Sequence, residues 1–310
     1  MRIFILTLMI LSNCILVFGQ NTINYTYYFE QILKAEDELA DGNYDKALET
    51  YSKTLKQYNF VFASDAYNAC QIGLFIKNNK IADSLFYLCS KSGISKKRLL
   101  TNHLILRKYL SDTIKYNSLL VAGKKAYFKR IDQSLRNEML SQFNQEQNAK
   151  DKGTINDFRE VCSSNFDRIL SLAKKGRFPG EKLIGVNDDL NNNFVFSTLC
   201  NYPNSYKLII QYLDTAMKYG EVQPIQIIVL YCFNQSRINI LYSNKNNNKY
   251  HVQYDSLNFK TCYNISFGKR SNDIDSVNIE RKKANIFSVE TQEKLLKLAK
   301  QDTLDFKFGD

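Results

Sequence analysis

The sequence predicts a mainly all-α protein: a short array of helical hairpins, then a helical domain carrying one small β-hairpin. Two observations predict it. Only three prolines and twelve glycines occur in 310 residues, too few to turn the many short strands of a β-sandwich. Apolar residues recur three and four apart through most of the chain, the spacing that lines one face of a helix. With residues 1–19 removed, about 290 residues remain, enough to bury two cores. The division read from the sequence is 1–19, a signal peptide; 20–128, helical repeats with a cap; and 129–310, a helical domain.

Residues 1–19 have the order of an export signal. Arg2 supplies the charged start, Ile3 to Phe18 the apolar run, and Val17-Phe18-Gly19 the cleavage site before Gln20. A retained anchor is the alternative, but a mostly apolar run of 16 residues falls short of the roughly 20 that span a bilayer. Leu11-Ser12-Asn13-Cys14 resembles a lipobox, which would place a lipid anchor on Cys14, although Asn13 is a poor residue before such a cysteine. The expected location is therefore the periplasm or cell envelope.

Helical spacing next joins Ile32, Leu33, Ala35 and Leu39, and Gly42-Asn43-Tyr44 turns the chain. Ala47, Leu48, Tyr51 and Leu55 stripe the return helix, with small Ala47 where the two helices cross. A second copy follows. Ala66, Tyr67, Cys70, Ile72, Gly73 and Phe75 outline one helix, Asn78-Asn79-Lys80-Ile81 turns, and Leu85, Phe86, Leu88 and Cys89 outline the next. Leu99 to Tyr127 reads as a closing unit, with Leu104, Leu106, Leu110, Leu119 and Leu120 facing the stack. Gly42 to Tyr51 resembles the turn and second helix of a tetratricopeptide repeat. Tyr44 and Ile81 correspond at a spacing of 37 residues, against about 34 in that family. The resemblance implies a binding surface rather than an active site.

Residues 131–300 resemble an uncharacterised bacterial domain that often follows such repeats. The matching residues are Asp132, Gln133, Arg136, Asn165, Leu170, Gly176, Pro179, Gly185, Tyr219-Gly220-Glu221, Pro224, Tyr250, Gln253, Asp275, Asn278 and Arg281. Departures accompany the match. No histidine stands near Cys200-Asn201, no Asp-Arg pair near Phe233-Asn234, and a Tyr-Gly-Thr-Gln motif reads Tyr250-His251-Val252-Gln253. Without the resemblance, helices fit Gln133–Lys150, Ile155–Lys174, Phe194–Leu199, Tyr206–Lys218, Ile225–Leu241 and Val289–Lys300. Tyr250 to Phe267 alternates as a hairpin, and 187–193 and 243–249 are polar loops.

The net charge of +11 is uneven: Lys91 to Arg136 holds twelve Lys or Arg against Asp112 and Asp132. For an exported protein such a zone suits anionic headgroups or envelope polymers, or forms a solvated basic face; nucleic acid is not expected. Six cysteines remain beyond the signal, and without a CxxC they exclude the usual zinc and thioredoxin patterns. Cys70 and Cys89 lie nearly equidistant from the turn at Asn79, which permits a disulfide; two buried free thiols are the alternative.

Catalytic patterns are scarce. There are two histidines, His103 and His251, and no P-loop, GxSxG or HExxH. Asp188-Asp189, Glu221, Asp273 and Asp275 are carboxylates for acid–base work that no spacing brings together. No cofactor or metal is expected. The repeat groove would present Phe29, Ile32 and Glu36, then Ala66, Ala69 and Gly73, without the cationic fork that grips a carboxylate. It suits an apolar or amphipathic protein or peptide partner, or it docks on the second domain. The expected function is protein–protein interaction in the envelope. The alternative is a hydrolase or ligand-binding domain in 131–300, built around Asn165, Tyr250, Gln253 and Arg281.

Overall fold

Asn24 opens the first helix by accepting the Thr26 N–H, and the fold is laid down from there as paired helices. A computed structural model describes residues 24–187, 193–242, 250–254, 274–283, 286–301 and 304–307. Residues 1–23, which hold the expected signal segment and Cys14, and Asp188, Asp189, Cys262 and Asp273 lie outside the described residues. Fifteen helices and one antiparallel strand pair are described, so the mainly all-α expectation holds. No helix among the described residues is long and apolar enough to cross a membrane.

Helices α1 (Tyr25–Ala40) and α2 (Tyr44–Gln57) form the first hairpin, α3 (Ala63–Phe75) and α4 (Asn79–Ser92) the second. Gly42 adopts φ +79° between α1 and α2, a left-handed conformation that side chains disfavour. Ala47 is wholly buried at the crossing, as its small size requires. Gly73 abuts Ala82 across the second hairpin, where an added Cβ would lie 3.4 Å from the Ala82 Cβ. An aromatic cluster of Tyr25, Tyr28, Phe29, Tyr58, Phe60 and Phe62 closes the α1 start, with ring centroids 4.8–6.5 Å apart.

The closing unit is α5 (Lys96–Leu99), α6 (His103–Ser111) and α7 (Thr113–Arg130). Its inward face is Ile105, Tyr109, Tyr116, Leu120 and Tyr127. Leu110, expected inward, is exposed, as are Ile114 and Val121. The periodicity that packs the end of the stack therefore runs through tyrosines that a leucine count overlooks. Gly123 lets α7 sit against α4, since an added Cβ would meet the Ser90 Cβ at 2.5 Å.

The second core joins α8 (Gln133–Lys152), α9 (Ile155–Lys174), α10 (Glu181–Ile184), α11 (Asn193–Asn201), α12 (Ser205–Lys218) and α13 (Pro224–Ser236). Met139, Phe166, Ile169, Phe178, Leu199, Leu213 and Leu230 are among its buried residues. The helix expected over Ile225–Leu241 ends at Ser236 instead. Its last residues form β1 (Arg237–Tyr242), paired antiparallel with β2 (Tyr250–Tyr254). An uninterrupted apolar run fits a buried helix or a strand equally, and pairing decides between them here. The expected hairpin therefore starts earlier than Tyr250, while residues 255–267 lie outside the described ones.

Two more helices, α14 (Ile274–Lys283) and α15 (Val289–Gln301), complete the described chain. They cross the sequence division at 128/129, because Phe287, Leu295, Leu304 and Phe306 are buried in the core of the first two hairpins.

The Cys70–Cys89 disulfide does not form: both are free thiols with no exposed surface. They do lie side by side, as the hairpin spacing implies, but each sulfur turns to a carbonyl. Cys89 Sγ donates to Ala66 O at 3.3 Å and Cys70 Sγ to Ala82 O at 3.9 Å. We expect a thiol reagent to label Cys200 in the native protein, and Cys70 and Cys89 only after denaturation. A Cys70–Cys89 bridged peptide in a non-reducing digest of the folded protein would refute this.

Candidate functional site

Helix α3 is buried on almost every side, its polar side chains included. Ser64, Asp65, Asn68 and Gln71 lie on it, the last three of them three residues apart, and each is buried. Buried polar groups of this kind need partners. Those of Asn68 and Gln71 come from the far end of the chain.

Residues 304–307 lie against α3. Asn68 Nδ2 donates to the Lys307 carbonyl at 2.5 Å, and the Lys307 N–H returns to Asn68 Oδ1 at 2.8 Å. Gln71 repeats the arrangement three residues along: Nε2 donates to the Asp305 carbonyl at 2.9 Å, and the Asp305 N–H reaches Gln71 Oε1 at 2.7 Å. Two side-chain amides thus satisfy both backbone groups of alternate residues, as a neighbouring strand would. Asn102 holds the second clamp by donating to Gln71 Oε1 at 2.7 Å, while its own Oδ1 caps α6 through the Leu104 and Ile105 N–H groups.

The Asp305 side chain is read separately. Tyr67 Oη donates to Oδ2 at 3.1 Å, Arg98 Nη2 donates to the same oxygen at 3.0 Å, and Lys307 Nζ lies 3.1 Å from Oδ1. Partial burial raises this carboxyl, but Lys307, Tyr67 and Arg98 outweigh it and hold it below its ordinary value. Arg98 stacks on Tyr67, 5.5 Å from the ring centroid. Leu304 and Phe306 are buried in the repeat core.

The same end of the chain covers α1. Helix α15 packs along it, and Lys294 Nζ pairs with Asp41 at 2.6 Å while Thr291 donates to Asp37 at 2.9 Å. The groove residues Phe29, Ile32, Glu36, Ala66 and Ala69 are all closed to solvent. Of the two outcomes read from the sequence, the groove is filled from within the chain: residues 304–307 lie on α3, and α15 and α12 pack on α1. Its cation, Arg98, comes from the short helix α5 rather than from the repeat helices.

Beneath the groove lies a buried acidic layer. Tyr28 Oη donates to Asp65 Oδ2 at 2.6 Å. Burial pushes Asp65 up to about 6, and burial together with Asp65 and Asp37 raises Glu36 well above its ordinary value. Glu181 reaches in from α10 and accepts the Ala63 N–H at 2.7 Å. It caps α3, whose own N-cap residue, Phe62, has no side chain able to do so. Burial pushes Glu181 to about 8.

Two of the other sequence-predicted residues, Asn165 and Arg281, are held by different helices. Asn165 is buried in the second core and donates to Gln142 O at 3.0 Å, near the Asn201–Glu146 hydrogen bond. Arg281 is buried between α14 and α15, donating to Phe287 O at 2.6 Å and Gln292 Oε1 at 2.7 Å. Tyr250 and Gln253 lie on β2 and their side chains are outside the description. Asn165 and Arg281 thus each serve a helix junction. The basic zone divides as well. Lys97, Lys115, Lys124, Lys125 and Lys129 face solvent. Arg130 and Arg136 are committed to the carbonyls of Glu181, Lys182, Ile184 and Val186. No group of three or more metal-type side chains stands together among the described residues. No protein family, curated protein or solved structure matches the chain.

Proposed function

We propose that this is an exported interaction protein of the cell envelope, whose tetratricopeptide-like groove grips an extended peptide segment. One observation carries the reading: Asn68 and Gln71 each engage the N–H and C=O of one residue, at positions 305 and 307. Such clamps bind backbone and so accept many sequences, and side-chain contacts then select among them. In the structure residues 304–307 of the same chain occupy both clamps, which supports the reading.

The test is a full-length chain carrying Asp305→Pro, Phe306→Ser and Lys307→Pro, which takes from both clamps the backbone N–H they hold and removes a buried apolar anchor without touching the groove. Panned against a displayed random-peptide library, it should enrich binders with Kd values in the micromolar range. Adding Asn68→Ala and Gln71→Ala should remove them. Enrichment that survives the loss of both amides, or none at all from a chain with native helicity, overturns the reading.

A further inference from the structure

We infer that the groove selects a segment reading apolar–Asp–apolar, and that a partner carrying it gains entry by exchange with residues 304–307. This rests on the peptide-binding reading above and names the partner it admits.

The selection follows from what meets each residue. Asn68 and Gln71 fix the segment's register by holding alternate backbone units. That register delivers the intervening side chains, Leu304 and Phe306, to the apolar core, where both are buried. It delivers the Asp305 carboxylate to Tyr67 Oη and Arg98 Nη2. Burial raises Tyr67, so the hydroxyl stays a donor at neutral pH. Tyr67 and Arg98 both donate to Oδ2 and the Lys307 ammonium stands at Oδ1, so a carboxylate meets donors with an acceptor at both positions, whereas an asparagine must turn its N–H groups to one of them and brings no charge to either cation. A glutamate is one methylene longer and would push its carboxylate past the pair unless the backbone clamps were broken.

Exchange follows from tethering. A segment joined to its own groove sits at an effective concentration of about a millimolar, so a free peptide of equal intrinsic affinity competes at a large disadvantage. The groove is closed to weak ligands and opens to a segment that binds better than 304–307, or when those residues are drawn elsewhere.

The experiment uses a fluorescein-labelled decapeptide of the Gln301–Asp310 sequence, read by anisotropy against three full-length chains. These are the unaltered chain, a Leu304→Ser/Phe306→Ser chain with a weakened tail, and the weakened chain that also carries Arg98→Ala. We expect the weakened chain to bind about 100-fold tighter than the unaltered one. A peptide with Asp305→Asn should bind the weakened chain about tenfold more weakly, and that difference should vanish with Arg98→Ala. Equal binding of the Asp, Asn and scrambled peptides overturns the selection and leaves a general peptide groove standing. Equal affinity of the unaltered and weakened chains overturns the exchange. If no peptide binds a weakened chain whose circular dichroism is native, both this inference and the peptide-binding reading fail.

Discussion

Glu181→Gln is expected to flatten the pH dependence of stability and to make the protein more stable than the unaltered chain at pH 9. Glu181 is 5% exposed, with a folded value of about 8 against 4.5 for the free side chain. Between those values the folded state keeps a proton that the unfolded chain has released. Stability tied to this group is therefore complete below about pH 4.5 and is lost as pH rises through 8. Asp65, at about 6, and Glu221, at about 7, act in the same direction. Between pH 5 and 9 the Glu181 share is on the order of 2–4 kcal/mol. Glutamine keeps an acceptor oxygen for the Ala63 N–H at 2.7 Å but has no proton to lose. Thermal melts across that range should show a falling Tm for the unaltered chain and a shallower fall for the variant. Parallel curves would show that Glu181 does not titrate in this window.

Gly180→Ala is expected to destabilise the protein by about 3 kcal/mol, lowering Tm by roughly 6–10 °C. Backbone conformation is not the cause, because φ at Gly180 is −85°, which alanine accepts. The cause is space: a Cβ there would lie 1.7 Å from the Glu221 carbonyl oxygen and 2.7 Å from its carbon. Both are backbone atoms, so no side-chain rotation relieves the contact. The strand of chain before α10 must move, and Glu181 moves with it. Gly176→Ala is the control, since its Cβ would meet nothing within 4 Å and only its φ of +66° opposes the change. Equal losses from both variants would assign the effect to backbone freedom instead.

The helical hairpins were legible because local chemistry marks them. Gly42-Asn43 and Asn78-Asn79 break the chain where apolar stripes reverse, and Ala47 and Gly73 mark close crossings. The groove's occupant was not legible, because Leu304-Asp305-Phe306-Lys307 alternates over too few residues to mark a strand and lies more than 230 residues from Asn68 and Gln71. A signal did exist on the receiving side. Asn68 and Gln71 share a helix with Ala66, Ala69, Cys70 and Ile72, so no face of it reads as solvent-facing. Polar residues inside an apolar helix demand donors and acceptors from elsewhere. The acidic layer was hidden for a related reason: Glu36, Asp65 and Glu181 look like surface charges until three separate elements bury them together. The end of α13 is not marked in the sequence, because no Gly or Pro separates it from β1 and sequence spacing cannot show where strand pairing takes over.

Helix α3 also sets a timetable. Its cap comes from residue 181 and its polar partners from residues 305 and 307, so neither exists when the repeat module leaves the ribosome. At about 5–20 residues per second, roughly ten seconds or more separate the synthesis of α3 from that of its last partners. Throughout that interval the clamp amides and the apolar floor around Ala66 and Ala69 face solvent. The nascent chain therefore passes through a stage in which its groove is vacant, and an escort that shields extended segments would meet it there before the tail does.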